Sequence, residues 1–386
     1  MQLMVPTHCL RSLVLPVVFA WSTAAAQRPA AARPQWTPER ARAWYDSTGW
    51  VAGANYVPSS AGNQLEMWQA ATWDPATIER EMAYAESLGM NTMRVFLHDL
   101  LWTQDAPGFV KRMDAFLTIT SRHHIRPVFV LFDAVWDPFP HTGTQREPYP
   151  HLHNSMWVQS PGLPILLDAT RHQALRAYVF GVVHRFAGDQ RVLAWDIFNE
   201  PDNNNYPAYF VYEPRDKGAI VLPLLRQAFQ WAREAGATQP LTAAPWKGDY
   251  VDESRMLPIT KVMLDESDVI SFHSYDPLPR TQALVTALAR YHRPIIASEY
   301  MARPVGSTFA THLPYFAEHG VGAINWGFVN GRSQTIYPWD SWRTEYTAAP
   351  AVWFHDVVRA DGTPYDATET ALIRATTRAH TKAAPR

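Results

Sequence analysis

Short apolar runs alternate with longer amphipathic stretches along this chain, and the alternation sets the expected fold. Runs without a helical period lie within Gly49–Pro58, Asn91–Leu97, Arg126–Phe132, Val192–Glu200, Pro240–Trp246, Val269–Tyr275, Arg293–Met301 and Gly322–Phe328. Each reads as a mainly buried strand. Helical patterns stand between most of them. Pro75–Leu88 has Asp74 as its N-cap and Gly89 at its end; further helical runs cover Pro107–His124, Ala169–Phe186, Gly218–Ala235, Thr281–Tyr291 and Phe309–His319, and Ala367–His380 closes the chain. Eight strands alternating with helices predict an α/β fold: a parallel sheet closed into a (β/α)8 TIM barrel, built as a single domain. A length of 386 residues suits one such domain with long loops. No repeat of fixed period is present, which argues against a solenoid or propeller.

Two stretches fall outside the pattern. In residues 1–26, Arg11 precedes the apolar run Leu13–Trp21, and Ala24-Ala25-Ala26 offers a small-residue cleavage site. This reads as a signal peptide, too short in its apolar part to span a bilayer, and implies a secreted or periplasmic protein. Residues 27–46, rich at first in Ala, Pro and Arg, are expected to be a leader, with the catalytic barrel occupying 47–386. The second stretch, Asp133–Asp168, is a long connection of Trp, His, Pro and Asn with little periodicity. Connections of that length are commonly functional, and this one is expected to wall the active site.

Composition narrows the function. A net charge of -2 offers no attraction to nucleic acid or to an anionic membrane. The single cysteine, Cys9, lies in the expected signal peptide, so the mature chain has neither a disulfide framework nor a thiol nucleophile. A surplus of aromatic residues, 16 Trp, 16 Tyr and 17 Phe, supplies core and also suits stacking on sugar rings.

The chemistry concentrates at two strand ends. Val192–Asp202 runs as a strand into Asn199-Glu200-Pro201, where the proline stops further pairing. Arg293–Met301 is a second such strand carrying Glu299. A barrel gathers the carboxyl ends of its strands on one catalytic face, and a carboxyl pair there is what glycosidic bond hydrolysis requires. Glu200 would protonate the leaving oxygen and then activate water; Glu299, kept ionised by Arg94, would be the nucleophile.

Taken in order, Arg94 on strand two, Asn199-Glu200-Pro201 after strand four, His273-Ser274-Tyr275 on strand six, Glu299 after strand seven and Trp326 on strand eight resemble glycoside hydrolase family 5 and its clan of barrel glycosidases. The resemblance spans nearly the whole mature chain. It implies that Asn199 hydrogen-bonds the sugar 2-hydroxyl, that Tyr275 orients Glu299, that His273 lines the site and that Trp326 forms its floor. Strand three departs from the pattern. Many family members place a histidine near its end, whereas here Asp133, Trp136 and Asp137 follow Phe132.

The expected activity is therefore that of a secreted retaining glycoside hydrolase acting on a β-linked glycan, without cofactor, as a monomer, with carbohydrate as its partner. Among the tryptophans, Trp136, Trp157, Trp68 and Trp339 would line sugar subsites or pack loops. Arg332 and Gln334, on the polar segment after strand eight, are candidate subsite contacts. Two other readings remain open: a barrel that binds carbohydrate without cleaving it, and a metal-dependent barrel hydrolase. The metal reading would use His98, Asp99, Asp133, Asp137 and the loop histidines His141, His151 and His153, although no tight ligand spacing is present.

Overall fold

The computed structural model describes Gln2 and residues 32–380, the latter within one compact unit. Apart from Gln2, the expected signal peptide and the leader as far as residue 31 lie outside the described residues. Eight parallel strands follow one another around a sheet: β1 Ala52–Tyr56, β2 Thr92–Phe96, β3 Val128–Asp133, β4 Ala194–Asn199, β5 Leu241–Ala244, β6 Ile270–Ser274, β7 Ile295–Tyr300 and β8 Gly322–Asn325. Consecutive strands are neighbours, and β1 pairs with β8. Between β5 and β6 the seam is drawn together by the Asp268 N–H on the Leu241 carbonyl at 2.7 Å and by the Thr242 and Ser271 hydroxyls at 2.6 Å. The predicted TIM barrel is the fold observed, with all eight strands in place.

Every strand residue is buried, for a reason the apolar runs anticipate. One face of each strand meets the surrounding helices and the other fills the barrel. Helices lie at Pro75–Ser87, Lys217–Glu234, Leu278–Leu288, Phe309–Glu318 and Ala367–His380, close to their predicted limits. After β2, Asp99–Arg122 holds two helical segments that meet at a kink: a short first one capped by His98, and a second that starts at Pro107 as predicted, where the non-helical Asp105 accepts from the Gly108 N–H at 2.9 Å. A helix at Pro258–Glu266 and a short one at Gln64–Trp68 carried too little periodicity to be read from sequence.

The leader requires correction. Pro38–Thr48 forms a helix capped by Thr37, starting within the span assigned to residues 27–46 and running just past its end. Trp36 and Ala41 pack with Val51, Val128, Leu193, Ala194, Val269, Ile296 and Ile324, residues in or just before the strands, and so plug the bottom of the barrel. Asp268 anchors the segment, accepting from the Trp36 N–H at 2.7 Å and from Arg33 at 2.6 Å. The helix is weakly apolar by itself; its few large side chains matter because the barrel floor is apolar and open. Among the described residues no helix is long and apolar enough to cross a membrane.

Candidate active site

Two register slips aim the site residues. On β4 the pairing with β5 shifts between Asp196 and Asn199, so Trp195, Ile197 and Phe198 all pack outward while Asp196 and Asn199 both turn inward. On β7 a slip opposite Phe272 and His273 places Glu299 inward between the outward Ala297 and Tyr300. Such bulges re-aim side chains at the rims of barrels. Glu200, next along, adopts a left-handed φ of 48°, a costly backbone state for a residue with a side chain. The Glu200 N–H on the Ala244 carbonyl at 3.1 Å holds it there.

Arg94 is wholly buried at the centre. One guanidinium nitrogen donates to Glu299 Oε1 at 2.7 Å and to Asn55 Oδ1 at 2.8 Å; the other end binds Asp196 at 2.8 Å and Asn199 Oδ1 at 2.6 Å. Tyr275 donates its hydroxyl to Glu299 Oε2 at 2.7 Å. Asn203 donates to Glu200 Oε2 at 2.7 Å, and His273 Nδ1 lies 2.5 Å from Glu200 Oε1 and 3.6 Å from Glu299 Oε2. One donor atom from each of Glu200, His273 and Glu299 falls within 4.8 Å of the others.

Burial dominates the electrostatics. It pushes the Glu200 carboxyl up to about 8, with Asp202 adding to the rise and Asn203, Arg94 and Lys217 opposing it. Burial also raises Glu299, reinforced by Glu200 and opposed by Arg94 and the Tyr275 hydroxyl. The His273 imidazole is pushed down to about 4 by burial, so it is neutral at ordinary pH. Of the two carboxyls, Glu299 has the guanidinium in direct contact and Glu200 does not. A proton held between them therefore rests on Glu200.

A cavity of about 430 Å3 opens above this pair. Its walls include Asn199, Glu200, Glu299, Tyr275, Trp136 and Trp326, and Trp326 stands edge-on to Phe96 and Trp157. Four assignments made from sequence need correction. Arg94 and His273 do not face the cavity: both lie behind the carboxylates, where strand positions deep in the barrel put them. Gln334, whose φ is 56°, is spent on the 149–152 loop, accepting from the His151 N–H at 2.8 Å and donating to the Tyr149 carbonyl at 2.7 Å. Arg332 likewise pairs with Glu66 and Glu147. Of the four tryptophans, Trp136 and Trp339 line the cavity, while Trp68 and Trp157 are core, their indoles donating to Phe96 O and Asp133.

Several lining residues escaped the sequence reading. Trp246 stands just beyond β5, held by Asp202, whose carboxylate accepts from the Trp246 and Lys247 N–H groups at 2.9 Å each. Its place after a barrel strand was an available signal. Asn203, Tyr206, His153, Asp340 and Arg343 come from loops whose path no local pattern dictates.

The loop histidines do not gather into a metal centre. His151 and His153 direct Nδ1 to the Tyr346 and Tyr337 carbonyls at 2.8 and 2.7 Å, and His141 sits at the surface. Among the described residues the group able to close on a cation is Glu200, His273 and Glu299, the same constellation as the carboxyl pair.

Comparison with known proteins places this geometry. Residues 151–352 match the family model for cellulase (glycosyl hydrolase family 5). A sequence search among curated proteins finds no match. Among solved structures, a variant of GH5_18 from Streptomyces cattleya in complex with Manβ1-4GlcNAc superposes with a TM-score of 0.58 at 14% identity, over 87% of this chain and 82% of that one. The exo-β-1,4-mannosidase Op5Man5 from Opitutaceae bacterium strain TAV5 gives 0.56 at 20% identity, over 87% and 61%. The endo-β-1,4-mannanase from Thermotoga petrophila gives 0.52 at 12%, over 87% and 77%. The matched segment contains both strand-end glutamates, His273, Tyr275 and Trp326, and with the barrel around them it shows that the chain belongs to glycosyl hydrolase family 5 and is a glycoside hydrolase.

Proposed function

We propose that the protein is a retaining β-glycosidase in which Glu299 is the nucleophile and Glu200 the acid/base. The observation that carries this reading is the closeness of the two carboxyls, with oxygens within 4.8 Å across one cavity. Retaining enzymes hold their carboxyl groups about 5 to 5.5 Å apart, whereas inverting ones leave a wider gap for water. In the first step Glu299 attacks the anomeric carbon while the proton on Glu200 passes to the leaving oxygen. A glycosyl ester forms on Glu299. In the second step Glu200, now ionised, takes a proton from water, which attacks the same carbon and frees Glu299. Asn199, at the cavity wall, would meet the sugar 2-hydroxyl, and Trp326 would underlie the ring. A β-linked glycan is the substrate class, and β-mannosides are the first to test, since the structural neighbours named above include a mannosidase and a mannanase. The sequence of residues 1–26 supports export, and a protein retained in the cytoplasm with Met1 as its first residue would remove that part of the reading.

The test is hydrolysis of a panel of aryl β-glycosides and β-glycans, with product anomers followed by NMR. Glu299→Gln should lower turnover at least about a thousandfold. Glu200→Gln should cost about 10²–10⁴-fold on poor leaving groups and much less in the first step on an aryl glycoside that departs without a proton. Inverted product, or full activity in either variant, would overturn the assignment.

A further inference from the structure

We propose that Asp133, at the carboxyl end of β3, is a positioning residue that fixes which face of the Asn199 amide meets the substrate. The inference rests on the reading of Asn199 as the group at the sugar 2-hydroxyl. Asp133 is buried and does not line the cavity, so it acts through its neighbours. Its Oδ1 accepts from Asn199 Nδ2 at 2.9 Å and from the Val135 N–H at 3.1 Å. Its Oδ2 accepts from the Trp157 indole at 2.7 Å and from Gln64 Nε2 at 3.1 Å. All four partners are donors, which suits an acceptor-only carboxylate.

The consequence lies in the amide. Asn199 Oδ1 accepts from Arg94, which has no acceptor to offer, and Asn199 Nδ2 donates to Asp133. A flipped amide would set its oxygen against the carboxylate and its NH₂ against the guanidinium, losing both hydrogen bonds. The two charged neighbours thus lock the amide from opposite ends, leaving its second N–H as a donor at the cavity wall. Trp157 extends the same hold to the floor, since its ring stands edge-on to Trp326 with centroids 5.6 Å apart. No other contact of the Asn199 side chain sets this orientation from the β3 side. Burial pushes the Asp133 carboxyl up to about 8, with Asn199 and Trp157 opposing the rise. The four donors on its two oxygens favour the ionised form against that rise.

The experiment compares an aryl β-mannoside or β-glucoside, whichever the parent enzyme cleaves faster, with the aryl 2-deoxy glycoside, which is the same sugar for both epimers. Asp133→Asn should lower kcat/KM on the 2-hydroxyl substrate by about 10–100-fold, the scale of a misplaced orienting contact. On the 2-deoxy substrate it should change by less than about threefold, because the contact at stake is already missing there. Equal losses on both substrates, or none on either, would overturn the proposal. Should Asp133→Asn fail to fold, Gln64→Leu removes one of the four donors, and its two losses must diverge in the same sense; if they move together the proposal also falls. Failure of the functional reading itself would show differently, as full activity in the Glu200 and Glu299 variants.

Discussion

Arg94 and the neutral His273 divide labour between two buried carboxyls that would otherwise be interchangeable. The guanidinium, 2.7 Å from Glu299, favours its ionised form, whereas Glu200, beside an uncharged imidazole, is pushed up to about 8 by burial. Activity that needs a protonated Glu200 should hold through neutral pH and fall as pH passes about 8, read from the pH profile of kcat/KM on a substrate with a poor leaving group. Stability should follow the same proton. A carboxyl raised from 4.5 to about 8 on folding binds its proton more tightly in the folded chain, so its contribution is full below 4.5 and is lost as pH climbs through about 8. Glu200→Gln removes the titration. Its chemical unfolding midpoint should match the parent at pH 4 and exceed it above pH 8; an advantage that does not grow with pH would contradict the burial of an ionised Glu200.

At the scale of elements, the walls of the cavity are loops tied to one another through a buried cation. Lys217 Nζ, at the start of the helix after β4, sits 2.8 Å from Glu213 and 2.9 Å from the Ala134 carbonyl. Glu213 in turn accepts from Gln159 and Asn205, so the 134–162 connection and the 201–216 loop are joined beneath Trp136 and Tyr206. Lys217→Met breaks this pair and leaves Glu213 buried without its cation, expected to cost about 3–5 kcal/mol in denaturant unfolding. KM should rise more than kcat falls, because the displaced groups are walls and not reacting atoms. An unchanged KM would mean that the loops keep their shape without the lysine. The long connection after β3, expected from sequence to wall the site, does supply Val135, Trp136 and His153 to the cavity, but its path depends on this remote lysine and on the Asp133 and Ser160 backbone pairing at 2.6 and 2.9 Å.

Across the whole molecule, chemistry and stability occupy opposite ends of the barrel. The bottom is sealed by Trp36 and the Pro38–Thr48 helix, with Asp268 accepting from Trp36, Leu241 and Arg33. Asp268→Ala should destabilise the protein by about 3–5 kcal/mol while leaving kcat at a permissive temperature within about twofold, and a selective loss of kcat would show that the two ends are coupled. The division between sequence and structure runs along similar lines. Burial on both faces forces an apolar strand to be a run of apolar residues, so eight strands, their order and the two glutamates at strand ends were legible in the chain alone. Period and capping likewise placed most helices, since those signals are local. The register slips that turn Asn199 and Glu299 inward were not legible, because a bulge is decided by the neighbouring strand. Nor was the withdrawal of Arg94 and His273 behind the carboxylates, the diversion of Gln334 to a loop, or the gathering of Trp246, Tyr206 and Arg343 around the cavity. Those outcomes depend on partners far away in the chain, chosen by packing and by the pairing of buried charges, and only the folded structure brings such partners within reach.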